Sequence, residues 1–449
     1  MSRFSRRGFL SLTASAAGAT LAGKAILLDP TPAWAMPQAV APSDRVRFGM
    51  IGIGMQGSGL MRNSLQLPGI ECAAASDLYD GRHVLAQEIA DSTTLPVTRR
   101  YQDLLSNKEI DCIIAAVPDH WHKQVVVDTL SAGKDVYCEK PMSHSPADGL
   151  DMVAAEKRTG RIVQVGSQRV GSALLTKARE LVHDGILGDL MMVEGVLGRN
   201  EPNGAWQYPP PPDLSPQNLD WETWQGTVPK VPFNSNIFAR WRCWKEYGTG
   251  VAGDLLVHLM SGALYVLGLN EPPKRAMSSG GILRWKDGRN MPDVHNTIFE
   301  YGNISIVMRL NLGTDIPEGY RFMGSKGILD VNSDQLTFTS QTGKDEGPSG
   351  YVGSFPKSLR DSYSKRWHEE HDMPLEREKV VEATTFKGAN YNEVKPHLWN
   401  FFQAVKARKP VIENAVFGHH AALACHMANE SFFRKSAVYW DEPSKTIKS

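Results

Sequence analysis

The chain carries no excess of charge of either sign: 49 basic side chains balance 49 acidic ones in 449 residues. That removes the electrostatic basis for nucleic acid as a partner. Cysteine is scarce. The five present (Cys72, Cys112, Cys138, Cys243 and Cys425) are odd in number, widely scattered and contain no C-x-x-C pair. A disulfide framework is therefore not expected, and the cysteines that fall in apolar, strand-like runs read as buried thiols. No internal repeat is visible. Beyond the N-terminal stretch, no segment is apolar for long enough to cross a bilayer. Hydrophobic content of 41% is ordinary for a folded chain, and the length suits two or three domains.

Residues 1–35 read as an export signal standing apart from the fold. Arg6 and Arg7 precede an apolar, Ala/Gly-rich stretch from Phe9 to Leu28, and Ala33-Trp34-Ala35 offers an A-x-A cleavage site. The paired arginines resemble a twin-arginine signal. Lys24 and the many small residues argue against a spanning segment, although an uncleaved signal would leave a membrane anchor. This predicts a periplasmic location and the twin-arginine translocase as a partner, with 36–45 as linker. That route implies a protein that folds, and loads any nucleotide cofactor, before it leaves the cytoplasm.

Gly52, Gly54 and Gly57 form a G-x-G-x-x-G loop directly after the apolar run Val46–Ile51. Strand, glycine loop and helix in that order suit a dinucleotide pyrophosphate. The first glycine permits a tight turn, the second lets phosphate approach the backbone, and the third lets helix and strand pack closely. With 40 glycines in the chain the loop alone is weak, and context must support it. A second apolar run, Ile70–Ser76, ends at Asp77, which lies 25 residues past Gly52 (77 − 52). That is near the ~20 expected for a carboxylate on the adenosine ribose hydroxyls. Such an acid repels a 2′-phosphate, which favours NAD over NADP; Arg82 nearby softens that preference.

Apolar runs continue at Ile110–Val117, Asp135–Cys138 and Ile162–Val165. Helical stretches alternate with them at Met61–Leu67, Arg82–Asp91, Tyr101–Ser106, His122–Ala132 and Pro146–Thr159. This rhythm predicts an α/β Rossmann domain over 46–168, a doubly wound parallel sheet. From 169 to 449 the texture predicts an α+β domain for substrate binding and oligomerisation. Its strand-like runs Met277–Leu283, Asn296–Tyr301, Ile304–Leu312, Tyr320–Met323 and Gly327–Val331 suggest a mostly antiparallel, open sheet. Residues 201–235, rich in Pro, Asn and Trp, read as a long ordered loop, and 341–372 as a mobile one. Helices are expected at His397–Arg408 and His419–Lys435; His419, His420 and His426 read as structural.

Glu139-Lys140-Pro141 closes the fourth apolar run. Strand C-termini in a parallel sheet face the cofactor crevice, so a lysine there reaches both nicotinamide and substrate. Asp254 and His258 are four apart, on one helix face, behind a glycine-rich approach at Gly248, Gly250 and Gly253. Imidazole suits removal of a hydroxyl proton near neutral pH. Histidines two apart, His120 and His122, do not share a helix face, so no metal site is expected there. Gln168 follows the last strand of the first domain. The run Phe238-Ala-Arg240-Trp241-Arg242-Cys243-Trp244 places rings beside cations, a pattern suited to a saccharide pocket and equally to aromatic packing.

Together the glycine loop, Asp77, Glu139-Lys140-Pro141 and Asp254-Leu-Leu-Val-His258 resemble the Gfo/Idh/MocA oxidoreductases over about residues 45–441. Val117-Pro118-Asp119-His120-Trp121-His122 and Gly324-Ser-Lys-Gly327 also look like family stretches. The resemblance implies an NAD-dependent enzyme acting on a sugar, glycoside or polyol. In it His258 is the general base, Lys140 polarises the hydroxyl, and Asp254 supports both. The cofactor is expected on Gly52, Gly54, Met55, Gln56, Gly57, Asp77, Pro118, His122, Glu139 and Lys140; position after the last strand and the aromatic–cation run put substrate near Gln168, Arg240, Trp241 and Arg242. A homo-oligomer is implied by analogy. Two other readings remain open: an NAD-dependent glycoside hydrolase working through transient C3 oxidation and elimination, and a non-catalytic sugar-binding protein that keeps NAD structurally.

Overall fold

The computed structural model describes residues 24–28, 41, 44–341, 348–371, 383–388 and 393–449. A short strand β1 (Lys24–Leu28) comes first. Then β2 (Val46–Ile51), α1 (Met55–Leu65), β3 (Ile70–Ser76), α2 (Gly81–Ile89), β4 (Val97–Thr98), α3 (Tyr101–Ser106) and β5 (Cys112–Ala115) follow. α4 (Asp119–Ser131), β6 (Asp135–Glu139), α5 (Pro146–Thr159) and β7 (Val163–Gly166) complete the first unit. β2 to β7 form one parallel sheet in the order β4-β3-β2-β5-β6-β7. The strand order reverses beside β2, so the crevice past its C-terminal end is the ligand position of a doubly wound fold. α1 starts at Met55 rather than Met61, because its glycine-rich first turn carries few apolar side chains to mark it.

The second unit contains α6 (Ala173–His183), β8 (Leu190–Gly198), α7 (Trp221–Trp224), α8 (Ser235–Ala239) and α9 (Val257–Leu267). Strands β9 (Arg275–Gly281), β10 (Val294–Tyr301), β11 (Ile304–Asn311), β12 (Ile316–Gly324), β13 (Gly327–Asn332) and β14 (Gln335–Ser340) come next. α10 (Lys357–Glu370), β15 (Ala383–Gly388), α11 (Val394–Ala407), α12 (Ala415–Arg434), β16 (Val438–Asp441) and β17 (Thr446–Lys448) end the chain. The sheet runs β1-β15-β14-β13-β12-β8-β11-β10-β9-β16-β17. It is antiparallel except where β8 meets β11 and β1 meets β15. β8, absent from the sequence expectations, lies near the middle. Exposed Met191 beside half-buried Met192 blurs its period-two pattern.

Three further expectations change. Residues 341–372 were expected as a mobile loop, yet α10 occupies 357–370. It has no buried residue, hence no apolar stripe to announce it. It carries Lys365–Glu369 and Arg366–Glu370 pairs at helical spacing. Lys24–Leu28, inside the segment expected to stand apart, lies parallel to β15, and Ile26 and Leu28 touch the core of the second unit. An apolar pentapeptide covers an otherwise open sheet edge. Arg6, Arg7 and Ala33–Ala35 lie outside the described residues. Finally, packing does not respect a boundary at residue 168. Leu398, Phe401, Phe402 and Val405 of α11 join Phe48, Leu60 and Tyr137 on one face of the parallel sheet. Ala415 and Ala422 of α12 join Val126, Met152 and Val165 on the other. A buried parallel sheet needs helices on both faces, and the end of the chain supplies the missing cover.

Several histidines are sealed inside this frame. Burial holds His295 and His419 down at about 4, and His426 at about 3, against an ordinary value of 6.5. The folded state keeps them neutral, while the unfolded chain takes up protons as pH falls through 6.5. Stability should therefore drop between pH 6.5 and 4, by about 1.4 kcal/mol per pH unit for each such histidine in that window. Urea unfolding at pH 7, 6 and 5 measures it, and a midpoint that does not fall below pH 6.5 contradicts it.

Candidate active site

The glycine loop is shaped by close contacts. Gly52 has φ +85°, and a Cβ on Gly57 would sit 2.0 Å from the Gly52 carbonyl oxygen. α1 can thus start against the end of β2, with Gly54 as an N-cap that offers no side-chain acceptor. The free N–H groups of that first turn are the groups an anion needs. Asp77 follows β3. Its carboxylate accepts from the backbone N–H of Ile53 (2.8 Å) and of Tyr79 (3.0 Å), and pairs with Arg82 at 3.2 Å. A cleft of about 550 Å³ opens here between Gly52, Asp77, Arg82, Pro118, Tyr101 and Trp224. A second cavity of about 410 Å³ shares Arg82, Pro118 and Trp224 with it, and continues past Gly54, Met55 and Gln56 to Lys140 and His258. An extended dinucleotide fits this pair of connected cavities: a glycine cradle at a helix N-terminus, an acid on the ribose side, and the lysine and histidine at the far end.

At that far end Lys140, one residue past β6, donates from Nζ to the Asp254 carbonyl oxygen (2.8 Å) and Oδ1 (3.0 Å). Asp254 stands in a π-helical turn, Ala252–Leu256, just before α9. Such turns concentrate at functional sites. A Cβ on Gly253 would fall 1.6 Å from Thr249 Oγ1 and 3.1 Å from Pro141 Cγ, so glycine lets the turn close on the Glu139-Lys140-Pro141 loop. Arg242 Nε donates to the same Oδ1 at 2.9 Å, and Trp206 Nε1 donates to Oδ2 at 3.1 Å. Trp206 sits at φ +61°, a conformation that costs about 1–3 kcal/mol and persists only where its surroundings enforce it. Burial alone would raise the Asp254 carboxyl; Lys140 and Arg242 outweigh it and hold the group far below the usual carboxylate range.

His258 lines the cavity, and its Nδ1 is buried without a hydrogen-bond partner among the described residues. Burial, then the positive charges of Lys140 and Arg169, drive its pKa well below 6.5. No hydrogen bond joins Asp254 to His258, because the π turn intervenes and the carboxylate is committed elsewhere. Glu139 Oε1 accepts from Gln56 Nε2 (2.9 Å) and Gln168 Nε2 (2.7 Å). Gln168 also donates to Tyr137 Oη, which meets His397 of α11, itself paired with Glu413 at 2.8 Å.

Of the residues read from sequence, the two cavities bring together Gly52, Gly54, Met55, Gln56, Asp77, Pro118, Glu139, Lys140, Gln168, Trp241, Arg242, Asp254 and His258. Two do not belong. His122 is buried, with its ring nitrogens on the carbonyls of Pro141 (2.7 Å) and Val117 (2.9 Å); it braces the Lys140 loop from behind instead of facing the cofactor. Arg240 turns away to the Tyr208 carbonyl and Gln207. Gly57 acts through packing. His419 and His426 are buried on α12, as expected of structural residues, and among the described residues no histidine, cysteine and carboxylate cluster fits a metal. The sequence reading missed Arg199, Trp206, Tyr208 and Trp224. Arg199 follows an unrecognised strand, Trp206 and Tyr208 sit in the loop after it, and Trp224 ends the four-residue helix α7, too short for its spacing to announce it.

The fold and site define a two-unit architecture whose first unit is a doubly wound, dinucleotide-type fold. Residues 46–167 match the family model described as "Oxidoreductase family, NAD-binding Rossmann fold". Inositol 2-dehydrogenase of Salmonella paratyphi B is 32% identical over 154 residues, which is 33% of this chain and 45% of that protein. That of Gluconacetobacter diazotrophicus is 32% identical over 159 residues, 34% and 46% of the two chains. The match spans about half the length of these relatives. In overall structure the chain is similar to levoglucosan dehydrogenase in complex with NADH and levoglucosan, at TM-score 0.62 and 17% identity, covering 88% of this chain and 99% of that one. It is equally similar to aldose-aldose oxidoreductase from Caulobacter crescentus, at TM-score 0.62 and 17% identity over 88% and 99%. At such identity the likeness establishes the fold.

Gly57→Ala should force α1 off β2 and weaken NADH binding by at least about tenfold, or about 1.4 kcal/mol. Fluorescence titration measures this, with far-UV circular dichroism verifying the fold; unchanged affinity in a folded variant contradicts it.

Proposed function

We propose that the protein is an NAD(H)-dependent oxidoreductase that interconverts a hydroxyl and a carbonyl on a sugar or polyol. The observation that carries this is the shared cavity in which the glycine loop, the Lys140–Asp254 pair and a neutral His258 meet. The dinucleotide would be held by the Gly52–Gly57 loop and the N-terminus of α1, with Asp77 at the adenosine ribose and Glu139 and Lys140 near the nicotinamide. The nicotinamide supplies the hydride acceptor or donor. Arg82, already neutralised by Asp77, leaves little attraction for a 2′-phosphate, which favours NAD.

The chain supplies the proton chemistry. His258, held neutral, accepts the hydroxyl proton during oxidation and returns it during reduction. Lys140 spends two of its three N–H donors on Asp254 and keeps one for the substrate oxygen, stabilising charge that develops there. Asp254 stays ionised and acts as the anchor of Lys140, with no proton of its own to transfer. The polyol and sugar dehydrogenases among the similar proteins support a carbohydrate as the substrate class.

His258→Ala should cut turnover by about 10²–10⁴-fold while NADH still binds. In the wild type the acid limb of kcat/KM should fall below pH 6.5, since protonation disables the base only below its depressed pKa. A limb at or above 6.5, or an active alanine variant, contradicts this role.

We further infer export with the cofactor on board, followed by recycling in place. The signal-like residues 1–35 support export. Retention is supported by the segment 213–224, which straps the adenosine side: Asp220 N–H donates to the Leu78 carbonyl and Asp80 N–H to that of Asn218, and Trp224 walls the cleft. Exposed Met191, Met277 and Ile298 on the open sheet support self-association. Protein recovered from the periplasm should begin after Ala35, leaving the β15 edge without β1, and keep NAD through dialysis. An intact N-terminus in the cytoplasm, or rapid loss of NAD, counts against this.

A further inference from the structure

The substrate end of the cavity contains one guanidinium, that of Arg199, that the hydride chemistry does not use. Lys140, Arg199 and Arg242 line it around His258, and Asp254 is the carboxylate that faces them. Two other acids on the wall, Asp119 and Glu139, are committed: Asp119 accepts from the Thr249 backbone N–H (2.9 Å) and Oγ1 (2.6 Å), and Glu139 from Gln56, Gln168 and the Lys140 N–H. Lys140 is paired with Asp254. Arg242 uses only Nε on Asp254, and its terminal nitrogens make no hydrogen bond among the described residues. Arg199 has no ion pair or side-chain hydrogen bond among the described residues at all, and its charge is felt at His258.

Arg199 is also placed. It directly follows β8, whose last residue Gly198 is registered against Asn311 and Ile316, and its own N–H donates to the Asn311 carbonyl at 2.9 Å. Its stem packs on Gly204, where a Cβ would come within 2.8 Å of Arg199 Cβ. A guanidinium kept free of protein acids, on a fixed backbone, beside Trp206 and Tyr208, is a ready fork for a carboxylate.

Resting on the oxidoreductase reading above, we propose that the natural substrate is an acidic sugar, a uronate or aldonate, whose carboxylate is bound by Arg199 with Arg242 alongside, while a ring or chain hydroxyl meets Lys140 and His258.

The test uses matched pairs on the NADH-loaded protein: D-glucuronate against D-glucose, D-galacturonate against D-galactose, and D-gluconate against D-glucitol, each titrated by calorimetry. For at least one pair the acid should bind roughly tenfold or more tightly than its neutral partner, with the advantage shrinking in high salt. Arg199→Gln should reduce acid binding by roughly 10- to 100-fold and leave the neutral partner's affinity in place, and Arg199→Lys should recover part of the loss. Neutral partners that bind as well as or better than their acids, equal losses for acid and neutral ligands in Arg199→Gln, or no binding by any acid would each overturn the proposal. NADH titration and the His258→Ala turnover measurement read the oxidoreductase function separately, so an enzyme that oxidises neutral sugars sinks the acidic substrate alone.

Discussion

Everything around the site depends on one buried carboxylate, that of Asp254. Lys140 reaches it from the parallel sheet, Arg242 from the segment after α8, and Trp206 from the loop after β8. One anion thus joins the dinucleotide-binding unit to the sheet-bearing one and fixes the position of the lysine between them. Removing one partner of a buried, hydrogen-bonded ion pair strands the other, at a cost of about 3–5 kcal/mol. The strained backbone of Trp206 and the π turn that carries Asp254 are the local distortions this convergence requires.

The same arrangement sets the protonation of the site. Burial keeps the His258 imidazole neutral, and Lys140, one of the cations that hold Asp254, adds to that effect together with Arg169 and Arg199. In the proposed chemistry His258 is then the base and Lys140 the electrophile, side by side, with the ionised Asp254 carboxylate fixing the lysine's position. Placing the charges, the base and the glycine cradle along one pair of connected cavities turns a common fold into a specific chemistry.

Much of this was legible in the sequence where local pattern and position coincide. The glycine loop, Asp77, Lys140, Asp254 and His258 could be read because each lies at a strand end or at helical spacing, and the βαβ rhythm of residues 46–166 marks those positions. Arg199 and Trp206 were hidden because they follow a strand blurred by methionines and enter a Pro- and Trp-rich loop whose course is set by tertiary contacts with Tyr79, His120 and Arg289. His122 misled for a related reason. Its place in a family-like stretch next to Pro118 suggested the cofactor, whereas burial turned its ring onto two backbone carbonyls. α11 could be foreseen as a helix, but not its return to cover the first sheet, since helical spacing reveals an apolar face and not the partner that face meets.

The most direct measurement is a crystal structure of the protein with NADH. The pyrophosphate should lie on the N-terminus of α1, the adenosine ribose at Asp77, and the nicotinamide between Lys140 and His258, with the Lys140–Asp254 pair intact. NADH bound outside these cavities, or a nicotinamide turned away from Lys140 and His258, would contradict it.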